Sequence, residues 1–207
     1  MIVRKVVGLL AVLIGTGYGI AVAGGVPEET PKADIEAEML RMGKQEPQDS
    51  AEVQVEFLKG RCFKDRHIDL YNVHAFKKMK DVGAWDLYYG LTVSRAVGYT
   101  TEDGIYRDSG AVGLGPALMM RYEKAISGKL YGAVEGTGSL LFYNRAHPGD
   151  GRAYGFLWRI GPRLTYRYTE QDAVSLAYLF HHASNGMGRH NPGYNGIGFS
   201  MGYQHRF

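Results

Sequence analysis

The sequence has little of several features that would define a function at once. It contains a single cysteine, Cys62, so an intrachain disulfide is excluded. The formal net charge is only +3 and no long basic run occurs, which gives no indication of a nucleic-acid partner. No second long apolar run follows the N-terminal one. If the rest of the chain lies in a membrane, it must form a closed barrel, because only helices and closed barrels satisfy every backbone group in lipid.

The N-terminus has the pattern of a secretory signal peptide. A charged start is followed by an apolar stretch over residues 6–14 and by the small-x-small cleavage pattern Ala21-Val22-Ala23. A membrane anchor is the alternative, but the glycines of this segment disfavour a stable spanning helix. We therefore expect residues 1–23 to be a signal peptide, residues 24–50 a polar periplasmic tail and residues 51–207 the folded domain.

Glycine and aromatic residues are abundant, with 29 glycines and 15 tyrosines, as is usual for antiparallel β proteins. From about residue 52 onward, apolar residues recur at every second position, which is the period of a β-strand with two different faces. Eight such segments are predicted to be strands. The apolar faces include Val53 to Phe57, a poorly alternating stretch from Ile68 to Met79, Trp85 to Val93, Val112 to Tyr122, Leu130 to Phe142, Tyr154 to Tyr166, Val174 to Phe180, and Ile197 to Phe207.

The alternation fits a soluble β-sandwich as well as a membrane barrel, since both have one apolar face. Three features favour the barrel: the strands are long enough for a tilted span, the polar face carries charges of both signs, and the chain ends on a strand with a terminal aromatic residue, Phe207. The predicted fold class is all-β, an eight-stranded antiparallel transmembrane β-barrel of the bacterial outer membrane. Pro116 and Pro162 interrupt predicted strands, and we expect a bulge at each.

Connection lengths orient this barrel. Three predicted turns are short, and both termini lie on their side, which is the periplasmic side of known barrels. The other four connections are longer and should face outward. The short turns cover residues 80–83, 125–129 and 168–172, and the longer loops cover residues 60–67, 99–109, 144–152 and 185–194.

A candidate site lies on the last two strands. Counting by twos from the apolar face of the seventh strand places His182 and Ser184 on the outward face, as a base beside a potential nucleophile. The same count on the eighth strand places Asn195 outward. Polar residues on a lipid-facing surface are costly without a functional reason. An outward site at the outer rim would reach a lipid of the outer leaflet.

These residues carry a family resemblance. The stretch His182-Ala183-Ser184-Asn185, the turn Asn191-Pro192-Gly193, the signal peptide and the strand count resemble the outer-membrane lipid A 3-O-deacylases. The resemblance implies that Ser184 is the nucleophile and that His182 is the base. Asn195 stands where the family has a glutamate that orients the histidine, and an amide can also orient an imidazole.

The resemblance further implies an esterase that removes an ester-linked hydroxyacyl chain from lipid A, the membrane anchor of lipopolysaccharide, without a cofactor or metal. The Asn185 side chain and the Gly186 amide would donate to the oxyanion. The loop cations that could meet lipid A phosphates are Lys64, Arg66, Arg107, Arg145 and Arg189.

Two other functions fit the same residues. A non-catalytic structural or adhesion barrel is favoured by Asn195, because an amide stabilises an imidazolium less than a carboxylate does. An outer-membrane phospholipase would share the serine, histidine and asparagine arrangement. The two enzymes differ in their substrate, and the non-catalytic barrel differs from both in being unaffected by loss of Ser184.

Overall fold

A computed structural model describes residues 49–63, 65–185 and 191–207. The signal peptide and the tail predicted for residues 1–50 lie outside these ranges, except for residues 49 and 50. Of the residues that the structure describes, none belongs to a helix long and apolar enough to cross a membrane.

The described residues form eight long antiparallel strands, one two-residue strand and one short 3₁₀ turn, Glu102–Gly104. The long strands have 13 to 18 residues, more than a tilted membrane-spanning strand needs. The eight predicted strands are thereby confirmed, including the poorly alternating second one. The strands are β1 Ser50–Phe63, β2 Arg66–Val82, β3 Trp85–Thr100, β4 Arg107–Asp108, β5 Ala111–Ser127, β6 Leu130–His147, β7 Arg152–Arg167, β8 Asp172–Ser184 and β9 Tyr194–Arg206.

The sheet closes on itself. Each long strand pairs with the long strands before and after it in the chain, including β2 with β3. The first strand, β1, also pairs with the last strand, β9, so the long strands form a closed ring. Closure leaves no unpaired edge along the long strands, which is the condition for a sheet in lipid. The predicted eight-stranded barrel is confirmed.

Burial alternates along each strand as the period-two pattern predicts. Outward residues are apolar and exposed, for example Leu114 at 54% and Met201 at 61% of their full accessible area. Exposure of so many large apolar side chains fits a surface covered by membrane lipid.

The inward face is polar, and its charges are paired. Arg121 donates to Glu52 at 2.7 Å and to Glu135 at 2.9 Å, and Arg163 donates to Glu135 at 2.6 Å. A second group joins Arg159 to Glu56 at 2.8 Å. These side chains are almost fully buried, so they fill the interior of the barrel.

The prolines do not produce the predicted bulges. Pro116 pairs with Leu91 and Pro162 with Val134, and the register is the same on both sides of each proline. On the other side of each strand a short part of the ladder is left unpaired, so the missing N–H is accommodated without an inserted residue. Shifts in register occur elsewhere, for example between Lys78 and Lys80.

The two ends of the barrel differ. The terminal end carries residues 49 and 207 and the short connections 83–84, 128–129 and 168–171. The opposite end, here called the loop end, carries the other four connections. Two of these are shorter than predicted, because β1 and β2 extend through most of residues 60–67 and β6 extends to His147.

Candidate active site

The candidate site lies where β8 ends and β9 begins, at the loop end of the barrel. His182 and Ser184 occupy alternate positions at the end of β8, and Asn195 is the second residue of β9. All three are half-buried, whereas the residues between them in the strands are buried. The three side chains therefore lie on the outward face, because side chains alternate between the two faces of a strand.

A hydrogen bond joins two of these residues across the strand pair. His182 and Asn195 are directly opposite in register, and Nδ1 of His182 donates to Oδ1 of Asn195 at 2.5 Å. With its proton on Nδ1, a neutral imidazole keeps a lone pair on Nε2. The amide thus orients the ring in the tautomer that a general base requires.

The side chains of His182 and Ser184 both approach the backbone of Gly193. A Cβ atom built on Gly193 would lie 3.3 Å from Cε1 of His182 and 3.5 Å from Cβ of Ser184. It would also lie 3.0 Å from the carbonyl oxygen of Ala183. Both side chains therefore pack against the bare backbone of Gly193, which leaves no room there for a larger residue.

The turn before β9 is held by two contacts. Within the turn, the Gly193 amide donates to the carbonyl of Asn191 at 2.7 Å. From the start of β2, the guanidinium of Arg66 donates to the carbonyl of Gly193, and it also pairs with Glu102 at 3.1 Å. The backbone next to the candidate catalytic pair is thus tied to the start of β2 and, through Arg66, to the turn Glu102–Gly104.

Aromatic side chains form the lipid-facing side of the site. Trp158 is opposite His182 in register, and the two ring centroids are 5.5 Å apart. Phe156 is opposite Ser184. An ester carbonyl placed at Ser184 would therefore have apolar surface beside it on β7.

The structure gives the direction of the Asn185 side chain. The side chain of Asn185 is 2% exposed and lies against Gly151, on the face opposite to that of Ser184. Its role as a donor to the oxyanion stays a prediction, because the side chain lies away from the outward face that carries Ser184. The backbone N–H of Asn185 donates to Oδ1 of Asn191 at 2.8 Å, so it already has an acceptor.

Other predicted site residues contribute less to the described geometry. Gly186, Lys64 and Arg189 lie outside the described residues. Arg145 is half-exposed and pairs with Asp108 at 3.0 Å. The Gly110 amide and the Arg145 guanidinium hold the pKa of Asp108 below its usual value, so this pair is charged at neutral pH. Arg145 is therefore already paired with a carboxylate.

Sequence reasoning missed Trp158, Gly193 and Arg66 as parts of this site. Trp158 and Gly193 were visible only as one apolar residue of a strand and one residue of a turn. Arg66 was one loop cation among several. Their contacts depend on cross-strand register and loop packing, which no local sequence pattern encodes.

The fold and the site define a class of protein: an eight-stranded barrel of the bacterial outer membrane with polar residues on its lipid-facing surface. The family model described as "Lipid A 3-O-deacylase (PagL)" matches residues 70–204. The chain therefore belongs to the PagL family.

The chain is similar to the crystal structure of the outer membrane enzyme PagL, with 18% identity and a TM-score of 0.46, over 76% of this chain and 99% of that chain. It is also similar to the crystal structure of Neisserial surface protein A, with 13% identity and a TM-score of 0.44, over 77% of this chain and 96% of that chain. No curated protein sequence matches it significantly.

Proposed function

We propose that this protein is a serine esterase that removes an ester-linked hydroxyacyl chain from lipid A in the outer leaflet of the outer membrane. The observation that carries the proposal is the pairing of His182 with Asn195 across β8 and β9, with Ser184 beside them on the outward face. Membership in the lipid A 3-O-deacylase family supports lipid A as the substrate.

The reaction begins at Ser184. Nε2 of His182 takes the hydroxyl proton as Oγ attacks the ester carbonyl, and Oδ1 of Asn195 stabilises the imidazolium that forms. The tetrahedral intermediate collapses when the C–O bond to the sugar breaks, and His182 returns the proton to the leaving sugar oxygen. Water then hydrolyses the acyl-enzyme by the same route and releases the 3-hydroxy fatty acid.

The oxyanion of the intermediate needs a donor close to Ser184. With the side chain of Asn185 turned inward, the backbone amide of Gly186 is the proposed donor, because Gly186 is only two residues after Ser184 in the sequence. The proposed location is the extracellular rim: the site lies at the loop end, and longer connections face outward in barrels of this class.

Mass spectrometry of lipid A from cells that make the protein or its Ser184→Ala variant tests this function. We expect loss of one hydroxyacyl chain with the wild type and intact lipid A with Ser184→Ala. Ser127→Ala is the matched control, because Ser127 is an exposed serine at the terminal end of β5 and its loss should leave deacylation unchanged.

Two results would contradict the proposal. Unchanged lipid A with a wild-type barrel that is folded in the outer membrane would favour a non-catalytic barrel. Release of fatty acid from phospholipid vesicles, with lipid A intact, would favour the phospholipase. Heat-modifiable gel migration establishes in both cases that the barrel is folded.

A further inference from the structure

A chain of hydrogen bonds lies inside the barrel directly behind the candidate site. Nε2 of His147 is 2.7 Å from the hydroxyl oxygen of Tyr194, and Nδ1 of His147 is 2.8 Å from the carbonyl oxygen of Ser109. Both side chains are buried, and that of Tyr194 has no exposed area. The chain therefore joins the end of β6 and the segment between β4 and β5 to the first residue of β9.

The partners of His147 fix the direction of both hydrogen bonds. A carbonyl oxygen only accepts, so Nδ1 of His147 donates to Ser109. A neutral imidazole with its proton on Nδ1 has an acceptor at Nε2, and the hydroxyl of Tyr194 donates to it.

Ser109, at the far end of the chain, is itself held in place. Its amide donates to the carbonyl of Gly98 at 2.9 Å. Its hydroxyl oxygen accepts from the amide of Gly149 at 2.8 Å. The hydrogen-bonded chain that begins at Tyr194 thus ends on backbone that is fixed from two sides.

Tyr194 lies at the centre of the candidate site, but on its inner side. It directly precedes Asn195 in β9. Across the strand pair it lies opposite Ala183, which separates His182 from Ser184. Tyr194 and Ala183 are buried and point into the barrel, because side chains alternate along a strand, while the three candidate residues point outward.

The start of β9 is paired on one side only. In the described part of the chain, the ladder between β9 and β1 stops at Ile197. Tyr194 and Asn195 pair with β8 alone. Strand ends with few hydrogen bonds open easily, so an anchor at Tyr194 restricts the motion of this segment. The position of Oδ1 of Asn195 beside Nδ1 of His182 therefore depends on a contact that lies outside the site.

We propose that Tyr194 and His147 are positioning residues of the esterase. Their hydrogen bond fixes the start of β9 and thereby keeps the amide of Asn195 on Nδ1 of His182. The inference rests on the proposed esterase function and adds to it two residues that do not touch the substrate. The hydrogen-bonded chain transfers no proton in the reaction and acts only through the geometry of the base.

Tyr194→Phe tests this role, because it removes the hydroxyl and keeps the ring. The measurement is steady-state release of hydroxy fatty acid from lipid A in mixed micelles. We expect kcat to fall about tenfold, because a small displacement of a catalytic base is costly. KM should stay unchanged, since both positioning residues lie inside the barrel.

Tyr143→Phe is the matched control. Tyr143 belongs to the same buried cluster, and the centroid of its ring is 4.5 Å from that of His147. Its hydroxyl is not part of the chain, because the two ring nitrogens of His147 are bonded to Ser109 and Tyr194. This variant should keep the wild-type kcat.

A second variant, His147→Phe, breaks the chain from its other side and keeps a ring in the cluster. We expect it to lower kcat as Tyr194→Phe does. Combined with Tyr194→Phe it should lower kcat no further, because the two residues act as one unit. Heat-modifiable gel migration establishes that each barrel is folded.

The tautomer of His182 tests the positioning independently of turnover. Ring-nitrogen NMR of protein labelled at its histidines, at a pH where imidazoles are neutral, should show the proton of His182 on Nδ1. His182→Gln identifies the signals of this residue among the seven histidines. In Tyr194→Phe we expect a mixture of both tautomers, because the acceptor on Asn195 is displaced. Tyr143→Phe should keep the Nδ1 tautomer.

Four results would overturn the inference. These are a wild-type kcat in Tyr194→Phe, an equal loss in Tyr143→Phe, additive losses in the double variant, and a lower kcat without any change in the tautomer of His182. The last would mean that the hydroxyl of Tyr194 only stabilises the barrel. If the wild type releases no fatty acid from lipid A, the proposed function fails, whereas the tautomer of His182 still decides whether Tyr194 positions the ring.

Discussion

In the proposed mechanism a neutral amide, that of Asn195, is the partner of His182, so replacing it with a carboxylate should raise activity. Aspartate has the same shape as asparagine, and Asn195→Asp would keep an oxygen at 2.5 Å from Nδ1 of His182. The tautomer of the ring would be unchanged, since an oxygen already accepts the Nδ1 proton. Only the charge beside the imidazolium would be new.

The size of the gain follows from the difference between the two acceptors. A hydrogen bond to a neutral group contributes about 0.5–1.5 kcal/mol, and one to a charged group about 1.5–3 kcal/mol. The carboxylate should therefore stabilise the transition state, in which the imidazolium has formed, by about 1.4 kcal/mol more than the amide does. That difference corresponds to an increase of about tenfold in kcat, with KM unchanged because the residue does not contact the acyl chain.

Steady-state release of hydroxy fatty acid from lipid A in mixed micelles measures this effect. Asn195→Leu, which keeps the volume but removes the acceptor, should lower kcat. Asn144→Asp is the matched control, because it makes the same change of charge on an exposed residue of β6, away from His182.

Two outcomes would refute the reasoning. An Asn195→Leu variant with the wild-type kcat would mean that the cross-strand hydrogen bond does not position the base. A gain of about a thousandfold or more with Asn195→Asp would mean that the amide of the native protein favours the wrong tautomer, as happens when a triad aspartate is replaced by asparagine.

Two further predictions concern the glycine beside the site and the charges inside the barrel. Gly193→Ala places a methyl group 3.3 Å from His182 and 3.5 Å from Ser184, so kcat should fall about tenfold in a barrel that heat-modifiable gel migration shows to be folded; an unchanged kcat would contradict the close packing described for this turn. Glu135→Gln removes the charge shared by Arg121 and Arg163 and should cost about 3–5 kcal/mol in the free energy of unfolding, measured by urea titration in micelles with gel migration as the readout. Glu170→Gln, in an exposed turn, should change that free energy little, and an equal loss in both variants would argue against a special role of the interior network.

Much of the fold could be predicted from the sequence, because each strand carries its own two-faced pattern. The alternation in β7 and β9 defined both the strands and the direction of their side chains without reference to any neighbour. Pro116 and Pro162 led to a wrong expectation, since the effect of a missing N–H depends on which adjacent strand it faces.

The candidate site could be predicted only in part. His182 and Ser184 share a face because they are two residues apart, and Asn195 shares it by the same count. The inward direction of Asn185 follows from that parity too, although the family resemblance had suggested a role for its side chain. Arg66 and Trp158 could not be predicted, because a guanidinium and an indole from distant segments reach this site only through the closed sheet.

By itself, the sequence determined the strands, their apolar faces and the candidate residues of the proposed site, because these depend on spacing along one chain. Only the tertiary structure decided which residues lie opposite one another across strands. That register places Trp158 against His182 and closes the ring between β2 and β3. Register is set jointly by all the strands of a closed barrel, so no single segment of the sequence contains it.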